Sequence, residues 1–268
     1  MRIGVIGIGT VGGAMYKSLL IKCQNSTDVI VEYDKYKNIG SFEDVTDCDI
    51  VFLCLPTLYS YDLSMYDKSS IDEVCENLSK VNFQGLVVVK STVEPTTSQQ
   101  LADKYNISVA HNPEFLSAIS AFEDFHCQKH IVIGSTTLTN ESHLNNIVNF
   151  YKKYWPDAEI TTCNSTESES IKIFCNTCYS VKIQYMNELY LMCQKLEINY
   201  TFVKDTMIKN GWINPMHTDV PGPDGKLSYG GMCFPKDTNA LLSFMKKINT
   251  PHAVLEATVM ERNTLRND

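Results

Sequence analysis

Over the first 165 residues or so, short apolar runs alternate with stretches of helical periodicity. Residues 2–6 and 29–33 read as strands, with a helix between them over 10–23 marked by Val11, Met15, Leu19 and Ile21. The runs 50–55 and 86–89 are unbroken by polar residues, as expected of strands buried on both faces of a parallel sheet. Further strands are expected around Val109, at 131–133 and at 160–162, and helices at 70–80, 96–105, 115–125 and 141–154. Repeated βα units of this kind imply a doubly wound parallel sheet of the Rossmann type. Near residue 166 the strand signals stop. A helix over 167–196 carries the apolar positions Ile171, Phe174, Cys178, Val181, Tyr185, Leu189 and Met192, one broad stripe that needs a surface to cover it. A loop rich in Gly and Pro follows at 214–231, and then helices at 235–248 and 252–264. The expected plan is an α/β domain over 1–165, followed by a long central helix and a small all-helical domain over 166–268.

Composition narrows the class. With 268 residues, 44% apolar and 20% charged, the chain is globular and long enough for one or two cores. No apolar run approaches the roughly 18 residues of a membrane span. The opening MRIGVIGIG lacks the length of a signal-peptide core. A net charge of −8 argues against general nucleic-acid binding. The ten cysteines are scattered, so reduced thiols in a cytoplasmic protein are expected. The C-x-x-C at 175–178 reads as core rather than zinc or redox chemistry, and the six histidines form no metal-spaced cluster.

The glycine spacing Gly7-Ile8-Gly9-Thr10-Val11-Gly12 joins the first strand to the first helix. Gly7 permits the turn, Gly9 lets a pyrophosphate reach the backbone, and Gly12 lets helix and strand pack closely. Asp34 ends the second strand, roughly 20 residues on, where a carboxylate binds ribose hydroxyls and repels a 2′-phosphate. NAD is therefore expected, with FAD a lesser alternative and an empty glycine turn the bland one. Leu55-Pro56-Thr57 and Lys90-Ser91-Thr92 end two strands, where ligands sit in such sheets or where the residues are ordinary turn chemistry.

Gly230-Gly231-Met232-Cys233-Phe234-Pro235-Lys236-Asp237 is the most informative stretch. Pro235 suits the first turn of a helix, so Cys233 falls at a helix N-terminus with Lys236 nearby, and both features favour a nucleophilic thiolate. Lys172 and Asn176 are one turn apart and point one way, either toward an oxyanion or toward solvent. Glu114, in Asn112-Pro113-Glu114-Phe115, is a base or a helix cap.

In this order the motifs GIGTVG, Asp34, LPT, KSTV, NPEFL, IKIFCNT, VPGPDGKLSYGG and CFPKD resemble the UDP-glucose/GDP-mannose dehydrogenase family. The resemblance implies NAD-dependent, four-electron oxidation of a sugar nucleotide's C6 alcohol, here UDP-glucose to UDP-glucuronate. It implies that Cys233 is the nucleophile and that Lys172 and Asn176 stabilise oxyanions. Asp237 and Thr92 hold a water, and Glu114 serves thioester hydrolysis. It assigns Gly7 to Gly12, Asp34, Leu55, Pro56, Thr57, Ser91, Thr92 and Lys236 to the cofactor. Glu114, Phe115, Leu116, Lys172, Asn176, His217, Tyr229 and Gly230 are assigned to the substrate. The chain departs from the pattern at Ala118, where the family has a second glutamate, at Glu94-Pro95-Thr96-Thr97, and at His217, where many members have arginine. Members continue into a third, nucleotide-binding domain, and the residues after Cys233 are too few to build it, so a short form is expected. It is expected as a homodimer built on the 167–196 helix, with weaker discrimination among bases. GDP-mannose or UDP-N-acetylhexosamine chemistry, a non-catalytic relative and a two-electron β-hydroxyacid dehydrogenase stay open.

Overall fold

The computed structural model describes residues 1–268. Its elements are, in order, β1 (Arg2–Ile6), α1 (Thr10–Cys23), β2 (Val29–Tyr33), α2 (Glu43–Thr46), β3 (Ile50–Leu53), β4 (Tyr59–Ser60) and β5 (Met65–Tyr66). There follow α3 (Ser69–Lys80), β6 (Leu86–Val89), α4 (Thr97–Tyr105), β7 (Val109–His111), α5 (Ala121–His126), β8 (His130–Ser135), α6 (Glu141–Tyr154) and β9 (Glu159–Asn164). The chain closes with α7 (Ser165–Lys195), α8 (Tyr200–Ile208), α9 (Phe234–Lys247) and α10 (Ala253–Leu265). It divides into two compact units, the first made of Met1–Leu58 and Asp67–Lys172, the second of Tyr59–Tyr66 and Ile173–Asp268.

The first unit is built on a seven-stranded sheet of order β2-β1-β3-β6-β7-β8-β9. The apolar runs explain its centre. Successive side chains point to opposite faces, so Ile50 and Phe52 join one core with Leu86 and Val88, while Val51 and Leu53 join another with Val87 and Val89. The first core takes Met15, Leu19 and Cys23 from α1, spaced four apart as one face of a helix must be. It also holds Phe125, Phe150, Tyr151, Tyr154 and Trp155, whose indole N–H donates to the carbonyls of Phe125 at 3.1 Å and His126 at 3.0 Å. The second core takes Ile71, Val74, Cys75 and Leu78 from α3 and Leu101 and Ala102 from α4.

Two expectations need correction here. The sheet is not wholly parallel, because β8 runs antiparallel to β7. Their connection holds a helix of only six residues, too little for the covering crossover that parallel neighbours use. The helix expected at 115–125 begins only at Ala121. Asp124 instead ties down the preceding loop, accepting from Ser117 N at 2.9 Å and Ser120 Oγ at 2.8 Å.

The second unit has helices and loops over Ile173–Asp268 and also takes in the hairpin β4–β5. Tyr66 from that hairpin is buried with Ile173, Ala240, Leu241, Leu242 and Leu255, and the Tyr59 hydroxyl lies 2.8 Å from Ser243 Oγ. The face of α7 that turns inward follows the expected stripe only in part: Val181 and Leu189 pack on buried clusters. Phe174, Cys178, Tyr185 and Met192 are exposed, whereas Asn176, Ser180, Gln184 and Asn187 are buried. Both α9 and the 214–231 loop supply partners for these polar positions: Asn176 Nδ2 donates to Asp237 Oδ2 at 2.6 Å, and Ser180 Oγ accepts from Thr238 Oγ1 at 2.9 Å. Ser228 N donates to Asn187 Oδ1 at 2.8 Å, Ser228 Oγ donates to Gln184 Oε1 at 2.6 Å, and Tyr200 OH donates to Thr218 O at 2.7 Å. Buried polar side chains need partners, and α9 and the loop together supply them. Cys178, expected in the core, is therefore on the surface. No helix is long and apolar enough to cross a membrane.

Candidate active site

The glycine turn at the end of β1 has the shape its sequence suggested. Gly7 has φ +88°, and a Cβ there would lie 2.6 Å from Cys54 O. A Cβ at Gly12 would lie 1.9 Å from Gly7 O, so no larger residue lets α1 approach the strand. At Gly9 an added Cβ would meet nothing within 4 Å, which leaves the backbone open to a ligand. Gly9 is also the N-cap of α1 and makes no side-chain capping bond. The first-turn N–H groups near Thr10, Val11 and Gly12 are thus available at the positive end of the helix dipole.

Asp34 lies across this turn. Its Oδ2 accepts from Ile8 N at 2.9 Å and its Oδ1 from Tyr36 N at 3.0 Å and Lys37 N at 3.1 Å. A carboxylate has about four acceptor directions, so one remains for a ribose hydroxyl. The residues therefore fit NAD. Lys35, which follows the acid, is paired with Glu73 at 2.6 Å. The cation that reaches the turn is Lys37, whose Nζ donates to Ile8 O at 2.5 Å, a contact with no signature in the sequence.

Two further strand ends lie on the same sheet. Ser91 Oγ donates to Leu55 O at 2.6 Å and accepts from Leu55 N at 3.0 Å, and Thr57 Oγ1 donates to Thr92 O at 2.7 Å. Pro56 is exposed and Thr92 half-buried.

Beyond β7, Glu114 Oε1 lies 3.1 Å from Lys172 Nζ, with side-chain exposures of 12% and 6%. Glu114 Oε2 accepts from Leu116 N at 2.6 Å. Lys172 also stands 5.4 Å from the centre of the Phe115 ring. Phe115 is exposed, whereas the Leu116 side chain packs on the first core, so Leu116 acts here through its main chain.

The second unit holds the other cluster. Cys233 is the exposed N-cap of α9, with Pro235 in the first turn. None of the ten cysteines is in a disulfide. Asp237 is fully buried. It accepts from Asn176 Nδ2 at 2.6 Å, from Lys236 Nζ at 2.6 Å and from the Tyr66 hydroxyl. Lys236 Nζ stands 4.6 Å from the centre of the Tyr66 ring. His217 packs edge-to-face on Phe234 at 5.6 Å and at a tilt on Tyr179 at 4.9 Å, and burial holds its pKa below the usual histidine range. Tyr229 is buried, and its carbonyl accepts from Arg262 Nε at 3.3 Å. A Cβ at Gly230 would run into the Arg266 guanidinium at 2.1 Å. Tyr66, Arg262 and Arg266 escaped the sequence reading, since nothing local marks them.

A glycine turn with its acid on a doubly wound sheet, continued by a long helix into a helical unit, is the plan of a nicotinamide-dinucleotide-dependent dehydrogenase. Two domain models make the assignment specific: the NAD binding domain of the UDP-glucose/GDP-mannose dehydrogenase family matches residues 24–154, and that family's central domain matches 166–264. The chain belongs to this family. It is 26% identical to a UDP-glucose 6-dehydrogenase of Campylobacter jejuni, across 99% of this chain and 72% of that protein. It is 30% identical to a UDP-glucose 6-dehydrogenase of Rickettsia typhi, across 87% of this chain and 52% of that one. Its fold is similar to that of a UDP-glucose dehydrogenase from Pyrobaculum islandicum, with a TM-score of 0.84 and 24% identity over 98% of this chain and 68% of that one.

Proposed function

We propose that the chain oxidises the C6 alcohol of UDP-glucose to the carboxylate of UDP-glucuronate in two two-electron steps. The observation that carries this is the exposed Cys233 at the start of α9, followed one turn later by the buried Asp237 with its three donors. A two-electron alcohol dehydrogenase has no use for a thiol there. NAD, held by the Gly7–Gly12 turn and Asp34, supplies the hydride acceptor for each step. The Cys233 thiolate adds to the C6 aldehyde to give a thiohemiacetal, whose oxidation leaves a thioester. Water then adds to the thioester, the C–S bond breaks, and the thiol and the carboxylate are released. Lys172 and Asn176 donate to the oxyanion at C6 in each tetrahedral species. Asp237 and Thr92 hold the water that takes the alcohol proton, and Glu114 activates the water that hydrolyses the thioester. Lys236 contacts the cofactor side, and Phe115, His217, Tyr229 and Gly230 line the path of the sugar diphosphate. The exposed apolar residues of α7 support a homodimer in which a second copy covers them.

The test is stoichiometry. Two NADH per UDP-glucose, with UDP-glucuronate as product, supports the reading. One NADH would make it a two-electron dehydrogenase and none a binding protein, and higher kcat/KM with GDP-mannose or a UDP-N-acetylhexosamine would move the substrate. Cys233→Ser should abolish turnover and leave NAD affinity unchanged, since a hydroxyl is a far weaker nucleophile at neutral pH.

A further inference from the structure

Beneath the Asn112-Pro113-Glu114 turn lies a charge that the proposed reaction leaves unused. Lys90 follows β6 and is 2% exposed. Its Nζ donates to Asn112 Oδ1 at 2.8 Å and to Asn112 O at 3.1 Å, and stands 5.6 Å from the centre of the Phe125 ring. Asn112 is gripped on its other sides as well. Its N–H donates to Val89 O at 2.9 Å, its Nδ2 donates to Val132 O at 2.6 Å, and its Oδ1 also accepts from Tyr151 OH.

Burying an ammonium costs several kcal/mol, and an apolar side chain of the same length would hold a turn more cheaply. What the ammonium adds is a positive charge hydrogen-bonded to Asn112, which is two residues before Glu114. The groups that face Lys90 are Cys54 at the end of β3, His111 on β7, Glu114 in the turn and Lys172 on α7, with Tyr151 of α6 joined through Asn112. Burial pushes the Cys54 thiol up to about 12, holds His111 down to about 3 and raises Tyr151. All three are neutral near pH 7, so Glu114 is the one carboxylate among these groups and Lys90 and Lys172 the two amines.

We propose that Lys90 is a positioning residue for Glu114: it clamps the Asn112-Pro113 turn and, with Lys172, fixes the carboxylate in the orientation that serves thioester hydrolysis. This rests on the role given to Glu114 above. Burial also lowers Lys90 to about 8, against the pull of Glu114, so its charge is lost as pH rises through that value.

The experiment uses Lys90→Met and Lys90→Gln in the full chain, with NAD binding as the check of folding. Rapid-quench turnover of UDP-glucose should show the first two NADH formed as in the unaltered chain. Steady-state kcat should then fall by up to about 100-fold, as for other small misplacements of a reacting group, with KM little changed. The acyl form of Cys233 should accumulate by intact-mass spectrometry, as it should in Glu114→Gln. The unaltered chain should lose steady-state rate above about pH 8, and the variants should lack that limb. Unchanged kcat, a fall without acyl-enzyme, or a retained alkaline limb overturns the proposal, and so does failure of both variants to bind NAD. If the unaltered chain makes no NADH from any sugar nucleotide, the reading of function fails instead. Lys90 is then judged by the crystal structure of Lys90→Met: a displaced Glu114 carboxylate supports the clamp, and one still 3.1 Å from Lys172 refutes it.

Discussion

Tyr66→Phe removes a single oxygen from the second unit, yet it should be among the more costly conservative changes in the chain. The hydroxyl is one of three donors to Asp237, whose side chain has no solvent exposure. A hydrogen bond to a charged acceptor contributes about 1.5–3 kcal/mol, and the buried carboxylate has no water to replace the lost donor. The ring stays, so the apolar packing against Ala240 and Leu241 and the contact with Lys236 are kept. At roughly 2–4 °C per kcal/mol for a chain of this size, Tm should fall by about 3–12 °C. Asp237→Ala should cost more, about 3–5 kcal/mol, because it leaves the Lys236 ammonium without its carboxylate. Urea unfolding followed by near-UV circular dichroism gives both values, and a cycle with the double variant isolates the coupling. The NAD affinity of Tyr66→Phe should not change, since the glycine turn is in the first unit and the ring keeps its contact with Lys236. A Tyr66→Phe chain within 0.5 kcal/mol of the parent, a change ordinary for surface positions, would refute the reasoning.

Three other outcomes are expected. Gly9→Ala should fold normally, because its Cβ meets nothing, yet weaken NAD binding at least about tenfold by blocking the phosphates, whereas Gly12→Ala should lose stability as well; calorimetry showing an unchanged Kd for Gly9→Ala would remove the phosphates from this loop. Asp34 should give a higher kcat/KM with NAD than with NADP, and Asp34→Ala should bring the two together; equal values in the unaltered chain would contradict the ribose contact. Asp28 is partly buried, which opposes ionisation, but Lys153, the N-terminal ammonium and Tyr154 together hold its carboxyl well below the ordinary 3.8. Its folded pKa lies below the unfolded one, so its contribution is present above about 3.8 and is lost as pH falls further. Asp28→Asn should flatten the acid limb of a stability–pH curve, and an unaltered slope between pH 4 and 2 would dismiss the cluster.

What was readable in the sequence followed from local rules. The runs 50–55 and 86–89 announced a two-faced sheet because period 2 with no polar residue leaves no solvent face, and the strands form over Ile50–Leu53 and Leu86–Val89. The glycine turn could be read because each glycine answers a steric demand within a few residues. The 31-residue α7 could be located but not oriented. Its stripe from Phe174 to Met192 obeys the usual amphipathic rule, and the rule held only in part because polar partners on α9 and in the 214–231 loop draw Asn176, Ser180, Gln184 and Asn187 inward. Nothing within reach of Asp237 in sequence names Tyr66, 171 residues away, as its partner. The same holds for Lys90 and Asn112, joined across neighbouring strands.

The hairpin at Tyr59–Tyr66 makes the second unit discontinuous. On the ribosome its eight residues emerge early and must wait until α9 and α10 have been synthesised before Ala240 and Leu255 exist for Tyr66 to pack on. Neither a cut at the middle of α7 nor expression of Ile173–Asp268 alone yields a unit with its full core, since that fragment buries Asp237 with one donor missing. The two units therefore cannot be exchanged between relatives by a single crossover. A chimera that keeps the fold has to carry the hairpin along with the C-terminal part.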